Sequence, residues 1–397
     1  MADLRVIEIA EYKSVELPVN ELPRKAAALL YERFRKHVLI ERVFWDGGGD
    51  RWRLTNLGWV GFIPLDETLA IALTPKTSIG RVFEMLEVAY DLRIFEPGND
   101  LYEVAAVDDL YERLAGELSR RVMLRLRRGI YRSYVAQEEQ SRYVRGRLDI
   151  RRQMAQPWRV DPHCRFEEHT ADLEENQLLL WALQQILRSG LCHEERALPS
   201  VRKAYHALLG VTTPVPFPAH ACRNRLYNRL NQDYQPLHAL AYFFLAHTGP
   251  THEAGDRRML PFLVDMAGLF ELFVAVWLRN HLPSPFCVSV QENYHLGRAS
   301  DTKFIIDLVI RNGDEVWVLD TKYKVPEKAA TSDIAQIVAY AESMETDEGI
   351  LIYPQHLPGA ARYQVGGTTV RILAFDLDGD LNVAGKRFVT ELLDGAG

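Results

Sequence analysis

Two apolar runs, residues 304–310 and 315–323, flank Arg311-Asn312-Gly313-Asp314 and carry two aspartates and a lysine between them. Asn-Gly between apolar runs is the strongest short-range signal of a two-residue hairpin, because a type I′ turn needs φ > 0 at both central residues. With Asn312-Gly313 as those residues, Arg311 faces Asp314, Asp307 faces Val318 and Asp320 faces Ile305. Side chains alternate along a strand, so Asp307, Asp320 and Lys322 project from one face, with Ile305, Val309, Val316 and Val318. Phe304, Ile306, Leu308, Trp317 and Leu319 fall on the other. Apolar residues on both faces predict a strand pair covered on both sides. Asp307 and Asp320 become diagonal neighbours, roughly 7–8 Å apart at the backbone.

Buried unpaired charges cost several kcal/mol each, so these three require one another or a metal. Two convergent carboxylates suit a hard divalent cation such as Mg²⁺, which takes oxygen ligands and keeps several waters. Such an ion activates water and stabilises charge on a scissile phosphate, and a lysine two residues along the same face adds a positive charge there. A buried Asp–Lys salt bridge is the competing account, but it leaves the sharing of one face by three charges unexplained. Glu271 interrupts the apolar segment 269–274 and could reach the metal or its water; the exposed stripe of an amphipathic helix is the alternative. Gln336 and Tyr340 share a helical face at i, i+4. Gln336 could bond the water, a phosphate or Lys322, or be a surface glutamine.

The rest of the chain sets the frame. At 397 residues it exceeds one ordinary core, and two or three domains are expected. Residues 4–75 read as strands with one helix at 21–36; helical spacing covers 79–92 and 110–134, strand-like sequence 142–170, and helices 172–187, 196–209 and 226–247. A buried helix at 262–278 leads to strands at 287–291, 304–310, 315–323, 349–353 and 370–375, interrupted by a helix at 332–344. This predicts an α+β to α/β multidomain chain: a strand-rich N-terminal domain with helices, a helical middle and a C-terminal mixed sheet flanked by helices. The Gly47–Gly49 tip gives a hairpin signal, with a floppy surface turn the favoured alternative. The formal charge is −7, yet residues 120–159 hold twelve arginines against three acidic residues. That asymmetry fits phosphate contacts or an acidic partner, and equally a solvated helix face. Four scattered cysteines form no C-x-x-C pair, the N-terminus has no signal-peptide pattern and no segment is apolar enough to span a bilayer, so a cytoplasmic location without membrane contact is expected. His163, Cys164 and His169, or His220 and Cys222, match no structural zinc spacing. No G-x-x-x-x-G-K-[ST] phosphate loop is present.

The order Glu271, Asp307, Asp320-Thr321-Lys322, Gln336 resembles the PD-(D/E)xK nuclease superfamily, and within it the McrC family of 5-methylcytosine-specific restriction systems. Further McrC-like features are Leu73-Thr-Pro-Lys-Thr77 with Met85-Leu86, Val144-Arg-Gly-Arg147, Phe166-Glu-Glu-His-Thr170, Asn176 opening a long helix, Asp265-Met266, Leu319-Asp-Thr-Lys-Tyr-Lys324 and Ile350-Leu-Ile-Tyr-Pro354. The superfamily's Pro-Asp dipeptide appears here as Ile306-Asp307. The resemblance implies a restriction-endonuclease-like C-terminal sheet, catalytic Asp307, Asp320, Lys322, Glu271 and Gln336, and Mg²⁺ (with Mn²⁺ as a substitute) on Asp307 and Asp320. It also implies modified double-stranded DNA as substrate and a hexameric AAA+ GTPase partner, McrB-like, whose hydrolysis the chain stimulates. The expected domains are 1–165 for partner binding and 166–397 for cleavage, the latter with a helical lead-in 166–255 and a catalytic core 256–397. The Gly47–Gly49 tip is the candidate contact with the partner's pore, and the arginines of 120–159 could serve the same interface or DNA. Two other readings remain: a non-cleaving adaptor that activates a partner NTPase, and a stand-alone nuclease for branched or damaged DNA.

Overall fold

The computed structural model describes residues 5–44, 50–66, 68–90, 107–156, 158–223, 225–248, 252–254, 257–259, 261–295 and 302–394. The Gly47–Gly49 tip lies outside them. The chain divides into two compact units, residues 1–107 with 261–397, and residues 108–260. The boundary expected between 165 and 166 falls inside a strand, His163–Thr170.

The first unit opens with β1 (Arg5–Ala10), β2 (Ser14–Pro18), α1 (Arg24–Arg33), β3 (Val38–Val43), β4 (Arg51–Asn56), β5 (Trp59–Pro64), β6 (Leu69–Thr74) and α2 (Ile79–Ala89). Pro23 precedes α1, and Ser78 caps α2 by accepting from the Arg81 amide. Strands β2, β4 and β3 form one antiparallel sheet. Its inner residues Leu17 and Leu54 share a core with Ile7 and Ile9 of β1, Ile71 and Leu73 of β6, and Leu30 and Phe34 of the α1 region.

In the second unit, α3 (Val107–Arg128) stops short of the helix expected through 134, and Tyr134 stands in β7 (Ser133–Gln140). Gly129, at φ +102°, marks the break. Then follow β8 (Arg147–Leu148), α4 (Ile150–Ala155), β9 (His163–Thr170), α5 (Glu174–Ser189), α6 (Leu198–Leu209), α7 (Gln235–Ala246), β10 (His252–Ala254) and β11 (Arg257–Met259). The β7-β9-β8 sheet is antiparallel, and α5 packs on α6 and α7. Buried Asn176, in the first turn of α5, bonds the Ala171 and Tyr131 carbonyls and accepts from the Tyr234 hydroxyl at 2.6 Å.

The chain then re-enters the first unit. The helix expected at 262–278 begins instead as a strand, β12 (Phe262–Asp265), antiparallel to β5 at the edge of the sheet β1-β6-β5-β12. Gly61 makes that pairing possible: at φ +152° a Cβ there would stand 2.0 Å from the Phe262 carbonyl oxygen. Asp265 caps the helix that follows, α8 (Met266–His281), by accepting from the Ala267 amide. Next come β13 (Cys287–His295), β14 (Lys303–Asn312), β15 (Glu315–Thr321), α9 (Thr331–Ser343), β16 (Glu348–Tyr353), β17 (Arg362–Val365), β18 (Thr368–Ala374) and α10 (Leu381–Leu393).

These strands form a mixed sheet ordered β13-β14-β15-β16-β18-β17, with β15, β16 and β18 parallel. Val318, Leu351 and Val370 face Ile337 and Tyr340 of α9. Arg371, the next residue on β18, points the opposite way and donates to the Leu392 carbonyl of α10 at 3.2 Å. Helices therefore cover both faces, as the doubly apolar strands require. No helix among the described residues is long and apolar enough to cross a membrane.

Candidate active site

The hairpin forms one turn position later than the Asn-Gly rule places it. Asn312 pairs with Glu315, leaving Gly313-Asp314 as the loop, and Gly313 alone takes positive φ, +62°. Glycine at the first central position with the second at negative φ is the pattern of a II′ turn, which suits strand twist as well as I′ does. The register moves by two residues, so facing parity is kept while the partners change. Val309, not Asp307, faces Val318. The ladder ends at Leu308↔Leu319, and one step further sets Asp307 across from Asp320 rather than diagonal to it.

The alternation along β14 does not run through unbroken. Phe304 and Ile306, expected on the face away from Asp307, pack in the same cluster as Val309, with Phe304 5.2 Å from the Tyr340 ring of α9. The pairing of β13 with β14 skips Gln291, which would oppose Asp307, and Gln291 adopts φ +50°. That is a costly conformation for a side-chain-bearing residue. The strand thus turns over at Asp307, freeing its carboxylate from the pleat.

Asp307 Oδ2 accepts from the Thr321 amide at 3.0 Å and the Thr321 hydroxyl at 3.2 Å. Asp320 is only 1% exposed. The Lys322 ammonium stands 2.6 Å from its Oδ2, and nothing among the described residues donates to its Oδ1. Burial first and the Asp307 charge second push the Asp320 carboxyl up to about 7, against the pull of Lys322. Burial works against the Lys322 charge too, but the Asp320 carboxylate, with Asp307 and Asp333 beyond it, holds the ammonium above its ordinary pKa. Lys322 also donates to Gln336 Oε1 at 3.0 Å, and Gln336 Nε2 donates to the Tyr340 hydroxyl at 2.8 Å. Of the partners open to Gln336 in the sequence, lysine is the one observed.

Glu271 comes from α8 and accepts from Gln291 at 3.3 Å. Burial, then the Asp307 charge, raise it to about 7, with Asp320 and Asp265 adding to the push. The structure therefore brings Glu271, Asp307, Asp320 and Lys322 into one electrostatic group, with Gln336 attached through Lys322. Among the described residues no three His, Cys, Asp or Glu side chains converge on a ready-made cation site, so a metal would be held by two carboxylates. Asp307 and Asp320 fit that part, since Asp320 buries an oxygen without a hydrogen-bond donor beside a second acid. A hard cation accepts such a donor set.

Several supporting residues escape a reading by sequence. Thr321, which orients Asp307, lies inside Asp-Thr-Lys, but only the turned-over strand brings its amide to that carboxylate. Asp333, 5% exposed, binds Lys324 Nζ at 2.8 Å and accepts from the Tyr353 hydroxyl at 2.9 Å, tying the first turn of α9 to β16. Its place three residues before Gln336 is the only hint in the sequence. Elsewhere Cys164, Cys192, Cys222 and Cys287 are free thiols. Within the arginine-rich window, Arg120 and Arg121 pair with Glu117, Arg125 with Asp233, Arg152 with Glu138 and Arg145 with Glu168, which neutralises a good part of it.

Fold and geometry define a mixed α/β protein whose hairpin-centred sheet carries an acidic cluster and a lysine. Residues 54–354 match the family model of the McrBC 5-methylcytosine restriction system component, and the chain belongs to that family. All five candidate residues lie within the match. A chain of the Thermococcus gammatolerans assembly of McrB AAA+ hexamers with bound McrC has a similar fold, at a TM-score of 0.61 and 19% identity, over 98% of this chain and 100% of that one. A chain of the Thermococcus gammatolerans McrBC complex aligns with a TM-score of 0.45 and 18% identity over 70% of this chain and 89% of that one. Among curated proteins none matches the sequence.

Proposed function

We propose that the chain is the DNA-cleaving subunit of its restriction system, a metal-dependent endonuclease acting through Asp307, Asp320, Lys322, Glu271 and Gln336. The observation that carries this is Asp320: a buried carboxylate paired through Oδ2 with Lys322, its Oδ1 without a hydrogen-bond donor, next to a second acid. A purely structural Asp–Lys pair would satisfy the remaining lone pairs, because unsatisfied buried charge is expensive. Asp307 and Asp320 would hold Mg²⁺, or Mn²⁺ in its place, and when bound the ion would supply charge neutralisation at the phosphate and a more acidic water.

The other roles belong to the protein's own groups. Lys322, fixed by Gln336 and Asp320, presents a positive charge where negative charge grows on the phosphate oxygens. Glu271, poised at about 7, is suited to accept the proton of an attacking water near neutral pH. Gln336, itself held by Tyr340, keeps the lysine from swinging away.

By analogy with the Thermococcus assembly, in which McrB AAA+ hexamers carry bound McrC, this chain works with an AAA+ GTPase ring and stimulates its hydrolysis. Having no phosphate loop of its own, it leaves nucleotide hydrolysis and modified-base recognition to the partner. The test is cleavage of methylated and unmethylated plasmid with Mg²⁺ or chelator, with and without the AAA+ partner and GTP. Cleavage that requires Mg²⁺ and rises with partner and GTP supports the reading. Stimulated GTP hydrolysis with intact DNA under every condition would establish the adaptor reading instead. Vigorous cleavage indifferent to the partner would point to a stand-alone nuclease.

A further inference from the structure

The strand that carries Asp320 ends at Thr321, one residue before Lys322. Beyond it, the Lys322 amide donates to the Ile352 carbonyl at 2.8 Å and the Lys324 amide turns back onto the Lys322 carbonyl at 2.8 Å. The carbonyl of Tyr323, between them, is taken by a side chain 247 residues away: Lys76 Nζ donates to it at 3.2 Å. Lys76 stands in the turn between β6 and α2, within Leu73-Thr-Pro-Lys-Thr77.

The same ammonium lies 4.1 Å from the Tyr323 ring centroid and 5.4 Å from that of Tyr12. Cation–π geometry of this kind adds to a charge-assisted hydrogen bond. Glu11, next to Tyr12, is 2% exposed, and Lys76 is the charge that opposes it. Tyr12 holds φ +55°, off the strand, which sets its ring toward Lys76. On the far side, the Tyr323 ring packs 5.6 Å from Phe270, the neighbour of Glu271 on α8. The Tyr323 hydroxyl makes no hydrogen bond, so the ring and carbonyl, not the hydroxyl, are what the surroundings use.

We propose that Lys76 is a positioning residue for the cleavage site: seated between Glu11 and the Tyr12 and Tyr323 rings, it locks the chain just beyond β15 at Tyr323, and through the Tyr323–Phe270 contact it sets Glu271 against Asp307. Lys76 touches no reacting atom and acts through Tyr323. The inference rests on the reading of Asp320 and Lys322 as cleavage residues, and its test therefore includes a readout that needs no cleavage.

Lys76→Met keeps the length of the chain and removes both the charge and the donor, whereas Lys76→Arg keeps them. Amide hydrogen exchange of the segment 319–325 and steady-state plasmid cleavage are measured for both variants in the full chain with its partner. In Lys76→Met the Lys322 and Lys324 amides are expected to exchange about tenfold faster, and kcat to fall about tenfold with KM within about twofold, the loss expected for one charge-assisted contact. Lys76→Arg should restore both. Unchanged exchange and unchanged kcat in Lys76→Met overturn the lock while leaving the cleavage reading intact. Equal losses in the two variants, with a common drop in Tm, also overturn it, since general instability would then suffice. Faster exchange in Lys76→Met, restored in Lys76→Arg, with no cleavage even by wild type, supports the lock and defeats the cleavage reading.

Discussion

Glu271 shows what it costs to bury a carboxyl beside a second acid. Its carboxyl sits at about 7 because burial and then Asp307 disfavour the charge. A carboxyl whose folded pKa exceeds its unfolded value binds more protons in the folded state between the two, so stability declines as pH rises from about 4.5 to about 7 and stays reduced above. Glu271→Gln removes that deficit. In chelator at pH 8 the variant is expected to be more stable than wild type by about 1–2 kcal/mol, a figure discounted for the partial exposure of the group. At pH 4, where both forms are protonated, the advantage should vanish. Urea unfolding at the two pH values checks this, and an equal advantage at both would mean that packing, not charge, distinguishes the variant. Cleavage by the same variant should fall, as expected where a site holds strain that function uses.

At the scale of elements, α9 owes its place to more than its apolar face. Asp333 joins Lys324 after β15 to Tyr353 at the end of β16, and Gln336 stands one turn further along the helix. Asp333→Ala strands a buried tyrosine hydroxyl and a lysine, and should cost about 2–4 kcal/mol in thermal or urea unfolding. A loss below about 0.5 kcal/mol would show that Ile337 and Tyr340 hold the helix unaided. Most of these elements are legible in the sequence. The apolar runs at 304–310, 315–323 and 349–353 give strands, and the spacing at 332–344 gives the helix that bears Gln336, because period 2 and period 3.6 are strong signals. What is not legible follows from tertiary pairing. The four residues 262–265 share the apolar character of the helix behind them and become a strand only because β5, with Gly61 at its centre, offers an edge. The hairpin register depends on which two residues occupy the turn, and II′ wins over I′ by one position. The turnover of β14 at Asp307 is carried by Gln291 on the neighbouring strand, where no local pattern announces positive φ. The even shift of register alone would keep facing parity, but the turnover ends the alternation at Asp307, and the hydrogen bonds from Thr321 hold that acid beside Asp320.

At the scale of the whole chain, the first unit is discontinuous: residues 1–107 and 261–397 fold together and residues 108–260 form a unit of their own. A linear division at 165/166 misses this, since the pairing of β12 with β5 joins segments some two hundred residues apart. The strand-rich N-terminal part and the acidic sheet therefore belong to one body, and Lys76 bridges them. The central claim is that Asp320 and its neighbours form a phosphodiester-cleaving centre. Its most direct test is single-turnover cleavage of modified DNA, with Mg²⁺, partner and GTP present, by wild type and Asp320→Asn, with Tm and partner GTP hydrolysis followed in parallel. The predicted result is a loss of about a thousandfold or more in cleavage, with a folded variant that still stimulates its partner. Cleavage by Asp320→Asn within about threefold of wild type would contradict the account, because no centre that depends on this carboxylate could tolerate its neutralisation so well.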